Sequence, residues 1–205
     1  MLGQSPIELV DLAGQYRLHY QPASHRYKAT PGQPIRYLER QRRRMQDWLR
    51  FPVTGISASQ IAGYLAWLSR DGGVPGARVC SEDEWERAAR GADGRKFSHG
   101  NDLDPDDANF DRTYGQLSGA YGFDEVGSHP RSRSPFGVDD MIGNARECTI
   151  PVFGERSVFA LRGGTYYHDS ETAAAANRDV LPLGKRGSSQ VGLRVCADVP
   201  VPASE

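Results

Sequence analysis

Two hundred and five residues with 25 Lys and Arg against 26 Asp and Glu, a formal charge of −1, exclude a nucleic-acid clamp or a polybasic membrane module driven by bulk charge. At 38% hydrophobic and 25% charged, the chain is globular and long enough to bury a core as one large domain or one domain plus an extension. Twenty-three glycines and thirteen prolines, together well above the roughly 12% of average usage, point to a loop-rich α+β protein and away from a helical bundle.

Residues 1–30 alternate briefly at Tyr16, Leu18 and Tyr20 before the stretch QPASHRYKATPGQP, and read as a strand pair or an extended arm. From Ile35 to Leu49, Arg36, Arg40, Arg42, Arg43 and Arg44 interleave with Tyr37, Leu38, Met45 and Trp48 at partly helical spacing. Two readings follow: a patch for nucleic acid or another anionic partner, or a solvated helix or loop whose arginine stems cover apolar surface. Glu39 and Asp47 interrupt the run and favour the second.

Ser57-Ala58-Ser59-Gln60 offers a capping box, and Ile61, Tyr64, Leu65 and Leu68 fall on one stripe, predicting a helix that ends at Asp71-Gly72-Gly73. A short strand from Ala77 to Cys80 leads into a second capping box, Ser81 to Glu84, with Trp85, Ala88 and Ala89 inward and Gly91 as the stop. Beyond Gly91 turns dominate, and Val158–Leu161 and Val191–Val195 are the expected central strands. No run reaches the ~18 apolar residues of a membrane span, and no basic stretch precedes an apolar one at the start, so a cytoplasmic setting is expected. Cys80, Cys148 and Cys196 are odd in number, far apart and without CxxC spacing, so reduced, buried thiols are expected.

The succession PVTGIS, helix, RVCSEDEWERAARG, HGND, ANFD, VGSHPRSRSPFGVDDMIGNARECT, LRGGTYY, AANR and VGLRVC resembles the formylglycine-generating enzyme, or sulfatase-modifying factor, family over residues 51–197. The resemblance implies a C-type lectin-like α+β fold, with two helices, a small twisted antiparallel sheet and long irregular loops. It divides the chain into residues 1–50, an extension whose strands pack on the domain, residues 51–199, the domain itself, and a tail at 200–205. It also implies a structural calcium ion held by the Asp140 side chain, the carbonyls of Gly143 and Ala145, and the Glu147 carboxylate. Hard oxygens interleaved with carbonyls suit that ion; the alternative is that Arg146 or backbone amides satisfy the two carboxylates. A second calcium site in the family would use Asn109, Phe110 and an acidic residue that is Tyr121 here.

The departure comes after Arg162-Gly163-Gly164. Family enzymes place a copper-binding cysteine pair there, at positions that are His168 and Ala173 in this chain, and no cysteine lies between Cys148 and Cys196. Without soft donors a Cu(I) site cannot be built, so no copper is expected. Between the RGG and VGLRV frames stand Tyr166, Tyr167, His168, Asp169, Asp179, Val180, Leu181, Leu183, Gly184, Ser188, Ser189 and Gln190. Tyrosine with small polar neighbours suits an adaptable contact surface, and the arrangement resembles the variable region of diversity-generating retroelement proteins. The leading expectation is a non-catalytic binding protein that presents these residues to a protein or other macromolecular ligand. The alternatives are a metal-dependent, oxidase-like enzyme with other ligands, and an interaction domain of a larger signalling or defence protein.

Overall fold

The computed structural model describes residues 7–12, 15–20, 22, 27–30, 32–154, 157–183 and 188–198. Strands β1 (Ile7–Leu12), β2 (Gln15–Tyr20) and β3 (Tyr27–Ala29) form an antiparallel sheet in that order. Next come the short ladder of β4 (Ile35–Arg36) with β5 (Met45–Gln46) and a 3-10 turn at Trp48–Arg50. The arginine-rich segment is therefore a hairpin-like excursion and not a helix. Arg43 takes a left-handed φ of 45°, and the Tyr37 N–H donates to the Arg44 carbonyl at 2.8 Å, closing the loop.

Both predicted helices form. In α1 (Ala58–Arg70) the Ser57 Oγ accepts from the Gln60 N–H and the Gln60 side chain reaches back to the Ser57 N–H at 2.9 Å. Such a cap contributes about 1 kcal/mol. Ile61 and Leu65 are buried, whereas Tyr64 of the predicted stripe is half-exposed. Strand β6 (Ala77–Val79) enters α2 (Glu82–Arg90) through the Ser81–Glu84 box. The Arg78 guanidinium grips Glu84 at 2.6 and 2.7 Å and, with the Ser81 N–H, holds its carboxyl down at about 2.

The remaining strands are β7 (Arg146–Thr149), β8 (Val158–Arg162), β9 (Asp179–Pro182), β10 (Val191–Leu193) and β11 (Val195–Ala197). The central sheet runs β10-β7-β8-β9. Its β7–β8 and β8–β9 ladders are antiparallel and its β10–β7 pair is parallel. Strand β8 is central as expected; β10 is an outer strand of its sheet among the described residues, with a single bridge from Thr54 to Gly192 beyond it, and Val195 belongs to β11, which pairs with β6.

Among the described residues, three apolar clusters fill the interior. The α1 residues Ile61 and Leu65 pack on Cys148, Phe159, Leu161 and Val191 of the sheet. Trp85 and Ala89 of α2 pack on Phe97, Phe110, Met141, Ile142 and Ala173. Tyr27, Ile35 and Tyr37 from the first fifty residues join Phe123, Ala145 and Tyr166. Among the described residues, no helix is long and apolar enough to cross a membrane.

The expectation of three reduced thiols is overturned. Cys80 and Cys196 form a disulfide, with their Cα atoms 4.9 Å apart. The antiparallel β6–β11 register, Val79 opposite Val195, brings them together, a juxtaposition that linear spacing does not reveal. Cys148 is free and buried, and burial pushes its thiol up to about 12.

Candidate functional site

The loops after β8 hang from a rigid frame. The Arg162 guanidinium is buried, pairs with Glu86, donates to the Ala175 carbonyl at 3.0 Å and lies over the Trp85 ring. Gly163 and Gly164 follow with φ of 90° and 72°. A Cβ on Gly164 would stand 2.8 Å from the Ala173 Cα, so the left-handed turn and the close approach both require glycine there.

This frame sorts the expected contact residues. Tyr166 is a correction. It is 1% exposed, stacks edge-on against Phe123 at 5.0 Å, and its hydroxyl faces the Pro22 carbonyl and the Gln190 amide. The left-handed Gly164 turn directs it inward, while the next residue, Tyr167, is 54% exposed and rests on Tyr121 at 4.9 Å. His168 is half-buried, its Nδ1 is 2.9 Å from Thr165 Oγ1, and burial together with nearby Arg146 lowers its pKa. Asp169 is exposed, and the backbone N–H of Thr172, which donates to it at 2.8 Å, holds its carboxyl below the ordinary range.

The second half of the segment joins the same face through Arg146. Its guanidinium pairs with Asp179 at 2.9 Å and its N–H donates to the Gln190 carbonyl. Val180 and Leu183 are exposed on or just after β9, the outer strand of its sheet among the described residues. Leu181 is another partial correction, since it turns inward onto the α1 cluster opposite Phe159. Ser188 is exposed, Ser189 and Gln190 are half-buried, and Gly184 lies outside the described residues. Replacing Tyr167 by Ala is expected to change stability by no more than about 0.5 kcal/mol, and Tyr166 by Ala to cost about 3–5 kcal/mol, as for other buried aromatics. Urea unfolding of the two single variants checks the assignment.

The two carboxylates expected at the calcium site have partners within the protein. Both Glu147 oxygens accept from Arg194 at 2.7 Å, and Oε2 also accepts from the Trp85 indole N–H at 2.5 Å. Asp140, at a left-handed φ of 58°, accepts from the Gly127 N–H at 2.7 Å, and burial raises its carboxyl above the ordinary range. Arg194 thus supplies the positive charge beside Glu147, and no group of three or more His, Cys, Asp or Glu side chains among the described residues could hold a metal ion. Arginine and a backbone amide satisfy the two carboxylates, the arginine being Arg194 and not Arg146.

Two features were not foreseen. One is a sealed polar network: Arg40 pairs with Asp124 and donates to the carbonyls of Ala120 and Gly122 at 2.7 and 2.8 Å. Its guanidinium lies between the rings of Tyr37 and Tyr114, 3.5 and 3.9 Å from their centroids. His129 Nε2 and the Tyr114 hydroxyl meet the other Asp124 oxygen at 2.7 and 2.6 Å. Arg40 and Asp124 are inaccessible to solvent, which makes the network architectural. The other is a cavity of about 770 Å³ between α1 and the β10–β11 segment, lined in part by Asp140, Glu147 and Arg194.

Two capped helices, a small mixed sheet and long loops hung on an RGG frame define a protein of the formylglycine-generating type with neighbours of C-type lectin-like architecture. Residues 11–199 match the sulfatase-modifying factor enzyme 1-like domain, and the chain belongs to that family. It is 28% identical over 157 residues to the bovine (Bos taurus) protein named inactive C-alpha-formylglycine-generating enzyme 2, a match covering 73% of this chain and 46% of that protein. The chain thus spans about half the length of the curated relatives it matches. The fold resembles that of PvdO from Pseudomonas aeruginosa, with a TM-score of 0.64 and 22% identity, covering 97% of this chain and 73% of the other. It also resembles Treponema denticola variable protein 1, with a TM-score of 0.63 and 15% identity, covering 92% and 98% respectively.

Proposed function

We propose that this chain is a non-catalytic binding module that presents Tyr167, His168, Asp169, Asp179, Val180 and Ser188 to a protein or other macromolecular ligand. The carrying observation is what fills the family's two thiol positions. His168 is half-buried against Thr165, and Ala173 is fully enclosed beneath Gly164, while the side chains around them project outward from a braced frame. The bovine relative, whose name calls it inactive, and the fold shared with a variable protein support the same reading.

Two experiments test it. Incubation with Cu(I), air and a cysteine-bearing peptide is expected to give no oxidation of the peptide cysteine beyond the protein-free control; turnover would overturn the reading. Sequencing the DNA for residues 160–197 across isolates is expected to find substitutions concentrated at exposed Tyr167, Asp169, Asp179, Val180, Leu183 and Ser188, with Tyr166 and Ala173 constant. Substitutions spread evenly over buried and exposed positions would remove the displayed face from the proposal.

A further inference from the structure

Helix α1 reads ASQIAGYLAWLSR, and no charged residue stands between Ser57 and Ser69. A helix this apolar on every side is ordinarily buried on every side. Here one side is covered: Ile61 and Leu65 pack on the sheet, while Ala62, Gly63, Tyr64, Ala66 and Trp67 are exposed. Tyr64 is 49% and Trp67 48% exposed, with their ring centroids 5.8 Å apart. Tyr64 also lines the cavity together with Val53 and Val126, which are themselves exposed, so apolar surface continues past the helix. A contiguous apolar face of this kind marks an interaction site, and none of its residues belongs to the face displayed after β8.

This face is complementary to itself. It carries a knob, the Trp67 ring, and beside it a hole, the part of the cavity lined by Val53, Ile56, Gln60, Ile61 and Tyr64. A twofold axis through Tyr64, the midpoint of α1, sets a second α1 antiparallel to the first. The partner's Trp67 then faces Ile61 at the hole, and Ala62 meets the partner's Ala66, where small side chains let the helices approach closely. Charge fits the same order. Asp71 caps the C-terminus of α1, the negative end of its own helix dipole, and the axis brings it to the partner's Ser57 at the positive end. The uncharged centre sets no like charges against each other.

We propose that α1 is a homodimer interface: two copies of this chain pair their α1 helices antiparallel about Tyr64, each Trp67 entering the partner's cavity beside Gln60 and Tyr64. The acidic residues lining that cavity take no part, and each dimer carries two displayed faces.

Sedimentation velocity at concentrations rising to about 100 µM is expected to show monomer giving way to dimer, the micromolar strength of a small interface. Ala66→Lys is expected to remain monomeric throughout. Position 66 is exposed and lysine is a strong helix former, so the far-UV circular dichroism and Tm of this variant should match the parent's, and the loss reads the interface alone. Trp67→Ala should weaken the dimer about tenfold or more, as removal of a central aromatic anchor does. Asp71→Asn should weaken it about threefold or more, because each end loses a favourable charge. Tyr167→Ala should leave association unchanged, which separates this interface from the displayed face. A monomer at every concentration would overturn the proposal and leave the α1 face to a different partner. Dimerisation that survives Ala66→Lys, or that Trp67→Ala or Asp71→Asn leaves as strong, would overturn it equally.

Discussion

Arg40→Ala is expected to lower folding stability by about 3–5 kcal/mol, the loss that follows when one partner of a buried ion pair is removed. That is a large share of a typical domain's 5–15 kcal/mol. The change strands Asp124, opens the space between the Tyr37 and Tyr114 rings and leaves the Ala120 and Gly122 carbonyls without their donors. The urea midpoint of the variant measures it, and a loss below about 1 kcal/mol would contradict the buried pairing. The network also predicts acid sensitivity. Burial alone would raise the Asp124 carboxyl, but the hydrogen bond from His129 and the charge of Arg40 outweigh it and hold the carboxyl below its ordinary range. A depressed folded value stabilises the fold fully above the unfolded value, near 3.9, and that stabilisation is lost as pH falls through the folded value. Stability should therefore drop on acidification below about pH 4, and less steeply in the Arg40 variant, whose Asp124 lacks the guanidinium.

Reduction of the Cys80–Cys196 bridge is expected to cost about 2–4 kcal/mol, mostly by releasing a constraint on the unfolded chain, because the bridge closes a separation of 116 residues. For a chain of this size that corresponds to a fall in Tm of about 4–16 °C. Thermal unfolding with and without dithiothreitol measures it. The variant Cys196→Ser should unfold at the reduced protein's temperature and be indifferent to the reductant. Cys148→Ser should keep the full response, since Cys148 takes no part in the bridge. Identical Tm values in oxidised and reduced protein would show that the bridge does not constrain folding.

Local signals carried the two helices. Ser57 with Gln60 and Ser81 with Glu84 announce their caps within four residues, and Gly91 announces a stop, so neither helix needed tertiary information. The burial of Arg40 was not legible, because its partners Ala120, Gly122 and Asp124 lie 80 or more residues away and nothing nearby distinguishes it from Arg42 or Arg44. The same holds for Cys80 and Cys196, which meet through a strand pair. In the candidate face, the type of residue pointed to contact chemistry, but orientation depends on the backbone turn at Gly164, and that turn separates Tyr166 from its neighbour Tyr167. Glu147 does not take adjacent Arg146 as its partner. Residues 146 and 147 point to opposite sides of β7, so Arg146 reaches Asp179 and the carboxylate is left to Arg194.

The long span of the disulfide also bears on how the chain is made. At about 5–20 residues per second, Cys80 is synthesised roughly 6–23 s before the 116-residue separation to Cys196 is complete. Over the last 48 residues of that interval, between Cys148 and Cys196, Cys148 is the other thiol available to it. In the finished fold Cys80 is bonded to Cys196 and Cys148 is a free, buried thiol of another apolar cluster, so a Cys80–Cys148 crosslink is non-native. Oxidant encountered during synthesis therefore favours a misbridged chain, and oxidant encountered after β11 has zipped onto β6 favours the native one. For this protein the order of strand pairing and oxidation decides yield, and a disulfide isomerase should matter most when the two events overlap.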